Sequence, residues 1–446
     1  MTHVTIVGAG LVGCLLSAYL AQAGHEVTIF EQAPDPREVT PISNRSISIT
    51  VAVRGFRALD KVGIGDIVRQ KSIPIYGRMI HPPVGQQTFQ PYSTNKEANY
   101  AMRRQDLHLI LLNFAQQHNN VHFMFNHKCV GLDLVTATAK FEDRETGLMR
   151  EVQSDVVVGA DGAFSSVRLA MQKEKRFNYS QQFIDIAYRE IVLPKPVMTK
   201  LELDPNAFHI WPRNNMMMYG FGDCHGDFTL SLVLPYEGEN SHESVTTYQA
   251  LHQLLETHFT DIFVATKPHL GNYFAKPVEP MVTIRCYPWI SGERVLLIGD
   301  ACHAVLPFYG QGANAGFEDC YLFAQLLGQF AGKWPAALQA FQYARKPDTD
   351  ALADLCLEHA MILMKSVDDP HFQLRKKVEQ ALQMLYPERS YLYHNVSFTC
   401  LPYSEAVQRE DDHRRLIDRI LQIENVESQL DSPEFQRIVN SFLTTA

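Results

Sequence analysis

Hydrophobic and polar positions change period several times along the chain, and each change predicts a different kind of element. Val4 to Val7 is a short β-branched run, an apolar helical pattern follows through Leu20 and stops at Gly24, and Glu26 to Phe30 is a second strand. Asp155 to Gly159 and Arg294 to Ile298 are further buried-type strands, each running through an acid and glycines into a helical pattern. Phe208 to Trp211 and Phe228 to Leu234 alternate instead, as strands of an antiparallel sheet with one face polar enough to meet a ligand. From about residue 346 the period is helical, with Leu416, Ile417, Ile420 and Leu421 on one apolar stripe. Asp431-Ser432-Pro433-Glu434 reads as a helix start, with Pro at the first turn.

The strand-to-helix turns carry the candidate chemistry. After Val7 comes GAGLVG, with Gly8, Gly10 and Gly13 at the spacing GxGxxG, and the second strand ends at Glu31. In that order the first glycine makes a tight turn, the second admits a pyrophosphate, the third lets helix pack on strand, and the acid accepts ribose hydroxyls. Arg294 to Asp319, RVLLIGDACHAVLPFYGQGANAGFED, places Asp300 at a strand's carboxyl end before a glycine-punctuated helix start. Such an acid can accept from a ribityl or ribose hydroxyl, while Gly310, Gly312 and Gly316 let backbone amides approach an anion. Asp161-Gly162 ends a third strand of this type. Any one of these is matched by an ordinary strand–helix turn, but three in the order GxGxxG, DG, GD point to a dinucleotide.

Composition narrows the class. With 446 residues, 46% hydrophobic and 20% charged, the chain has material for two or three domains. Forty Lys and Arg against 49 Asp and Glu give a net charge of −9, which argues against nucleic acid and against an anionic membrane surface. The eight cysteines show no CxxC and no metal-like spacing with His, so they read as free thiols in a reducing compartment, with no metal site. No apolar run approaches the roughly 18 residues of a spanning helix. The apolar first thirty residues lack a basic start and carry glycines at fingerprint positions, so they read as folded protein and not as a signal peptide.

Together the three turns resemble those of the class A flavoprotein monooxygenases, which share the para-hydroxybenzoate hydroxylase fold. Further segments narrow the resemblance to the kynurenine 3-monooxygenases: Gly77 to His81, Pro91-Tyr92, Arg104 to Leu107, Phe125 to His127, Tyr179 to Gln182 (YSQQ), His209 to Arg213 (HIWPR), Arg45-Ser46-Ile47 and Glu405 to Arg409 (EAVQR). The resemblance implies an α/β fold: a Rossmann-like FAD-binding domain, an inserted antiparallel-sheet substrate domain and a C-terminal helical region. Placed on this chain, the FAD domain is discontinuous over 1–70, 98–175 and 283–345, the substrate domain covers 71–97 and 176–282, and the helical region is 346–446.

It implies a site as well. Gly8, Gly10, Val12, Gly13, Glu31, Arg45, Arg104, Asp161, Asp300, Gly312, Ala313 and Asn314 would hold FAD. Arg78 and Tyr92, completed by Tyr403, would bind the carboxylate of L-kynurenine, since a guanidinium grips a carboxylate bidentately. Pro307, Phe308 and Gln311 would wall the flavin ring. The implied reaction is hydroxylation to 3-hydroxykynurenine with NADPH and O₂ through a flavin C4a-hydroperoxide, a step of tryptophan catabolism and pyridine-nucleotide biosynthesis. A single GxGxxG leaves no second Rossmann domain for NADPH, which is expected to dock transiently.

Two positions depart from the pattern: His359 stands where relatives carry an Asn that contacts the amino-acid end of the substrate, and Tyr309 stands where a Phe is usual. The tail departs too. Animal and fungal relatives end in a hydrophobic membrane anchor, whereas Glu410 to Ala446 is polar, so a soluble, cytoplasmic, bacterial-type enzyme is expected. Other readings stay open at this point: a hydroxylase of another amino-aromatic compound, a halogenase or oxidase on the same fold, and a non-catalytic binding protein. Trp211, Trp289 and Trp334 form no WxW motif, which counts against the halogenase.

Overall fold

The computed structural model describes residues 1–38, 48–93, 95–365, 370–386, 391–430 and 432–444. Its first layer is a six-stranded sheet in the order Ile290–Ser291, Val295–Leu297, Val156–Gly159, His3–Val7, Glu26–Phe30, Val121–Met124. All neighbours are parallel except the first pair. The central strands are buried on both faces, Val156 to Gly159 without exception, which is why they are continuous apolar runs and do not alternate. Helices Leu11–Gln22, Arg104–Ala115 and Gly312–Gln329 pack together beside them.

A seven-stranded sheet forms the second layer, in the order Glu279–Tyr287, Asn178–Leu193, Phe228–Pro235, Met216–Gly222, Ala207–Arg213, Gly77–Ile80, Thr88–Pro91. It is antiparallel apart from the pairing of Gly77–Ile80 with Ala207–Arg213. Its two faces differ in cover. One face, with Ile191, Trp211, Met218, Leu230 and Leu232, is closed by Leu251, Leu255, Phe259 and Ile262 from the helices Tyr248–His258 and Thr260–Thr266. The other, with Ile210, Met217 and Val233, turns toward Leu306, Ala315 and the long helix Trp334–Lys365. Side chains alternate across a strand, so this second face is the one presented to the parallel sheet's turns.

The C-terminal helices Pro370–Leu385, Tyr403–Leu421 and Pro433–Thr444 have a core of their own, in which Leu416, Ile417 and Ile420 meet Val378, Leu382, Phe435 and Val439. The apolar stripe read from the sequence is therefore buried within the protein. Among the described residues, no helix is long and apolar enough to cross a membrane.

Candidate active site

A cavity of about 340 Å³ opens where the glycine turns of the parallel sheet meet the inner face of the seven-stranded sheet. At one end the chain makes a cradle. Gly8 has φ +102°, and a methyl group there would lie 2.6 Å from the Ala160 carbonyl oxygen, so only glycine completes the turn. A Cβ on Gly13 would sit 2.0 Å from the Gly8 oxygen, which shows how closely helix Leu11–Gln22 is drawn onto its strand. Gly10 opens onto the cavity, and a Cβ there would meet no protein atom within 4 Å. Helices Leu11–Gln22 and Gly312–Gln329 both start at this cavity without a side-chain cap, leaving their first N–H groups for an anion. Val12 packs against Gly299 and Gly316, where a Cβ would come within 3.1 and 2.5 Å of it.

Glu31 is held by the backbone N–H groups of Ala9 (2.8 Å) and Ala33 (2.9 Å) at the end of its strand. Arg104, Asp300, Gly312 and Ala313 line the cavity. Two expected residues are turned elsewhere. Asp161 accepts from the Ser166 N–H at 2.6 Å and so starts helix Ser166–Met171, with its Oδ1 buried and unpartnered. Burial raises its pKa above the ordinary carboxylate range, against the hydrogen bonds that lower it. Asn314 accepts from the Ala52 N–H (2.8 Å) and donates to the carbonyls of Thr50 (2.9 Å) and Gly310 (2.8 Å). Its side chain thus shapes the cavity wall, leaving only its backbone for a ligand. Arg45 lies outside the described residues.

The other end is aromatic and cationic. The Arg78 guanidinium carbon lies 4.8 Å from the Tyr393 ring centroid and 5.7 Å from that of Tyr92, and the two rings are 5.0 Å apart. Burial opposes its charge, but Tyr393 and Tyr92 outweigh that and raise its pKa, so the cation persists. Among the described residues no carboxylate forms an ion pair with Arg78, and its Nε is buried without a partner. Pro307, Phe308 and Tyr309 form the adjoining wall.

Tyr403 is not where the expected clamp needs it. It is fully buried behind the wall, its ring under Arg54 at 3.8 Å and its hydroxyl donating to Gln311 Oε1 at 3.0 Å. Gln311 is likewise buried and does not line the cavity. The structure brings Tyr393 to Arg78 instead, from the short helix Leu392–Ser397. Six residues show no readable period, so the sequence offered no sign of it beyond an aromatic in a polar stretch. His359 stands 4.8 Å from the Tyr309 ring and lines a neighbouring cavity of about 610 Å³ beyond the wall of Arg78, Tyr92, Tyr309 and Tyr393, so the two departures touch each other. The sequence reading also missed Tyr188, Tyr219, Thr229 and Ser231, which face the first cavity from the seven-stranded sheet. A further grouping has no counterpart in sequence spacing: Asp106, Cys224 and His225 bring their ligand atoms within 4.8 Å of one another at the surface.

The cradle therefore fits a nucleotide, since its buried turns exclude side chains and its helix starts are uncapped, and the far end fits a small carboxylate. Comparison with known proteins agrees. A family model described as "FAD binding domain" matches residues 1–354. The kynurenine 3-monooxygenase of Flavobacterium johnsoniae is 37% identical over 99% of this chain and 98% of its own. That of Myxococcus xanthus is 38% identical over 91% and 88%, and that of Anopheles gambiae 34% over 94% and 86%. Two solved structures share the fold at low identity: CtdE in complex with FAD and a substrate (TM-score 0.68, 16% identity, 94% of this chain and 100% of that one) and 2-methyl-3-hydroxypyridine-5-carboxylic acid oxygenase (TM-score 0.67, 20% identity, 83% and 94%). With relatives of this similarity along nearly its whole length, the chain belongs to the kynurenine 3-monooxygenase family of FAD-binding hydroxylases.

Proposed function

We propose that the protein hydroxylates L-kynurenine to 3-hydroxykynurenine, with FAD as cofactor and NADPH and O₂ as co-substrates. The observation that carries this reading is Arg78: a cation with no carboxylate partner among the described residues, flanked by two tyrosines, facing a cavity that continues into the nucleotide cradle. A site of that kind asks for a small aromatic acid, and the substrate named for the relatives is one.

The geometry supports the following division of labour. Gly8, Gly10, Val12 and Gly13 would receive the pyrophosphate, Glu31 the adenosine ribose, and Arg104, Asp300 and the Gly312-Ala313 backbone the remaining flavin side of the cofactor. Bound FAD supplies the redox chemistry, taking a hydride from NADPH and activating O₂. Arg78 grips the substrate carboxylate, while Tyr92 and Tyr393 limit the rotation of its guanidinium. Pro307, Phe308, Phe208 and Phe221 surround the ring and exclude water. The ring amine of the substrate activates the neighbouring carbon, so the chain needs no strong acid or base there and contributes chiefly by orientation. Such orientation is worth on the order of 7 kcal/mol or more in favourable cases. Tyr403 and Gln311 support the wall, and Asp161 and Asn314 hold the turns.

A cytoplasmic location belongs to the same proposal, supported by eight unpaired cysteines. The deciding measurement is NADPH oxidation with and without L-kynurenine, coupled to detection of 3-hydroxykynurenine. A yellow protein whose NADPH oxidation kynurenine neither accelerates nor turns into product would refute the substrate. A colourless preparation that does not take up FAD would favour a non-catalytic binding role.

A further inference from the structure

The face of the seven-stranded sheet that carries Arg78 also carries a polar row that no part of the proposed function uses. Register fixes the row. Glu190 is directly opposite Ser231, and Ser231 is directly opposite Tyr219, on three adjacent strands. Ile210 is opposite Tyr219, and Phe208, two residues before it on the same strand, is opposite Arg78. Residues directly opposite share a face, and so do residues two apart on one strand. Glu190, Ser231, Tyr219 and Arg78 therefore all point the same way, and the cavity lining includes Ser231, Tyr219 and Arg78.

The chemistry of the row is unusual for a site that binds a flat aromatic ring. Tyr219 and Ser231 are directly opposite each other and line the cavity together, and Glu190, only 6% exposed, stands opposite Ser231 on the next strand. Burial, with the Glu190 charge adding to it and the Ser231 contact opposing it, pushes the Tyr219 hydroxyl up to about 12. It thus stays a neutral phenol that can donate to Ser231 and accept from a ligand. An apolar wall would serve a ring without substituents equally well, and at lower desolvation cost. Each hydroxyl keeps acceptor capacity beyond any bond to its neighbour, and a ligand that brings a donor to it gains a hydrogen bond that an apolar wall could not offer.

Distance decides which group. The strands of Arg78 and Tyr219 lie two spacings apart and the two residues are offset by two positions along them, which puts their backbones about 12 Å apart. Arg78 takes the carboxylate, so Tyr219 meets the opposite end of a small aromatic amino acid, the ring and its substituent. Resting on the function proposed above, we infer that Tyr219, joined to Ser231 and backed by Glu190, accepts a hydrogen bond from the ring amine of the substrate. The sheet thereby selects ring-aminated aromatic amino acids and fixes which ring carbon faces the flavin side.

The test compares L-kynurenine with its analogue lacking the ring amine, 2-amino-4-oxo-4-phenylbutanoic acid, in the FAD-loaded wild type and in Tyr219→Phe. Dissociation constants come from perturbation of the flavin spectrum, and KM, kcat and hydroxylated product per NADPH from turnover. Tyr219→Phe is expected to weaken kynurenine binding about tenfold and to lower the yield of product per NADPH. Binding of the analogue should stay within about twofold, because it never made the bond. Ser231→Ala should shift the same selectivity in the same direction by a smaller factor, and serves if Tyr219→Phe folds poorly. If the variants weaken both ligands equally, or neither, the inference is overturned while wild-type hydroxylation of kynurenine leaves the proposed function standing. If the wild type neither binds nor hydroxylates kynurenine, the function fails and the inference falls with it.

Discussion

Arg345 donates from Nε to Asp319 Oδ1 at 2.7 Å, and both residues are essentially inaccessible to solvent. The other oxygen of Asp319 accepts from the Gly299 N–H at 3.1 Å and from His303 Nε2 at 2.5 Å, the two residues that flank the turn presenting Asp300. Arg345 also reaches Glu318, which pairs with Arg54 and Arg57. One buried ion network thus holds the turn, the helix after it and the helix Val53–Val62 in fixed relation. Removing one partner leaves a buried charge uncompensated, at a cost of about 3–5 kcal/mol. Asp319→Asn should therefore lower the urea midpoint strongly and weaken FAD binding, although Asp319 itself does not line the cavity. A midpoint and a flavin affinity unchanged from wild type would show that the network positions nothing.

The same carboxylate has a pH signature. Burial alone would raise the pKa of Asp319, but the facing His303 and Arg345 outweigh it and hold the pKa below the ordinary carboxylate value. A pKa lower in the folded state than in the unfolded one adds stability at pH values above the unfolded pKa, and that stability is lost as pH falls through the folded one. The stability gap between wild type and Asp319→Asn should be constant from neutral pH down to about 5 and shrink below about 4. Urea titrations of both proteins across that range measure it, and a gap that widened toward acid would contradict the assignment.

For the substrate end, two tyrosine variants separate neighbours that the sequence could not. Tyr393→Phe removes a hydroxyl from the ring beside Arg78 and should raise the KM for kynurenine several-fold with FAD content unchanged. Tyr403→Phe removes the partner of Gln311 inside the wall, leaves that amide oxygen unpaired, and should cost about 1–3 kcal/mol of stability with a smaller change in KM. Arg78→Ala should raise KM far more than either, about a hundredfold, while the protein stays yellow. Loss of flavin from the Arg78 variant would place that residue with the cofactor instead.

These contrasts mark what the sequence made legible. Glycine turns were readable because each needs a residue type at a fixed spacing: Gly8 by its positive φ, Gly13 by its contact with the Gly8 oxygen. The stripe at Leu416 to Ile420 was readable because burial of one helix face imposes a period, and the apolar-polar alternation from Phe228 to Leu232 because one face of that wholly buried strand meets a core and the other a cavity. Orientation was not. Asp161 and Asn314 stand in the expected turns, yet Asn314 spends its whole amide and Asp161 one carboxylate oxygen on backbone groups, and only three-dimensional hydrogen bonding decides that. Tyr393 was missed for a related reason: its approach to Arg78 depends on how a six-residue helix packs, which leaves no periodic trace. The row of Glu190, Ser231 and Tyr219 joins residues from three strands and exists only in the register of the sheet.

Gly10 and Gly13 provide a last test, because the same substitution should fail for different reasons three residues apart. A Cβ at Gly13 would lie 2.0 Å from a backbone oxygen, which cannot move without displacing the strand–helix turn. Gly13→Ala should therefore destabilise the protein even without cofactor. At Gly10 a Cβ meets no protein atom within 4 Å, and its φ of −71° suits any residue. By restricting the unfolded chain, Gly10→Ala should leave the apoprotein as stable as before or stabilise it by about 0.4–1 kcal/mol. The added methyl group nevertheless enters the space where the backbone must meet a pyrophosphate. FAD affinity should fall by about tenfold or more in Gly10→Ala, measured by flavin fluorescence on refilling the apoprotein. Undiminished FAD binding in Gly10→Ala would move the cofactor away from this turn, and an apoprotein destabilised by it would mean that Gly10 serves packing instead.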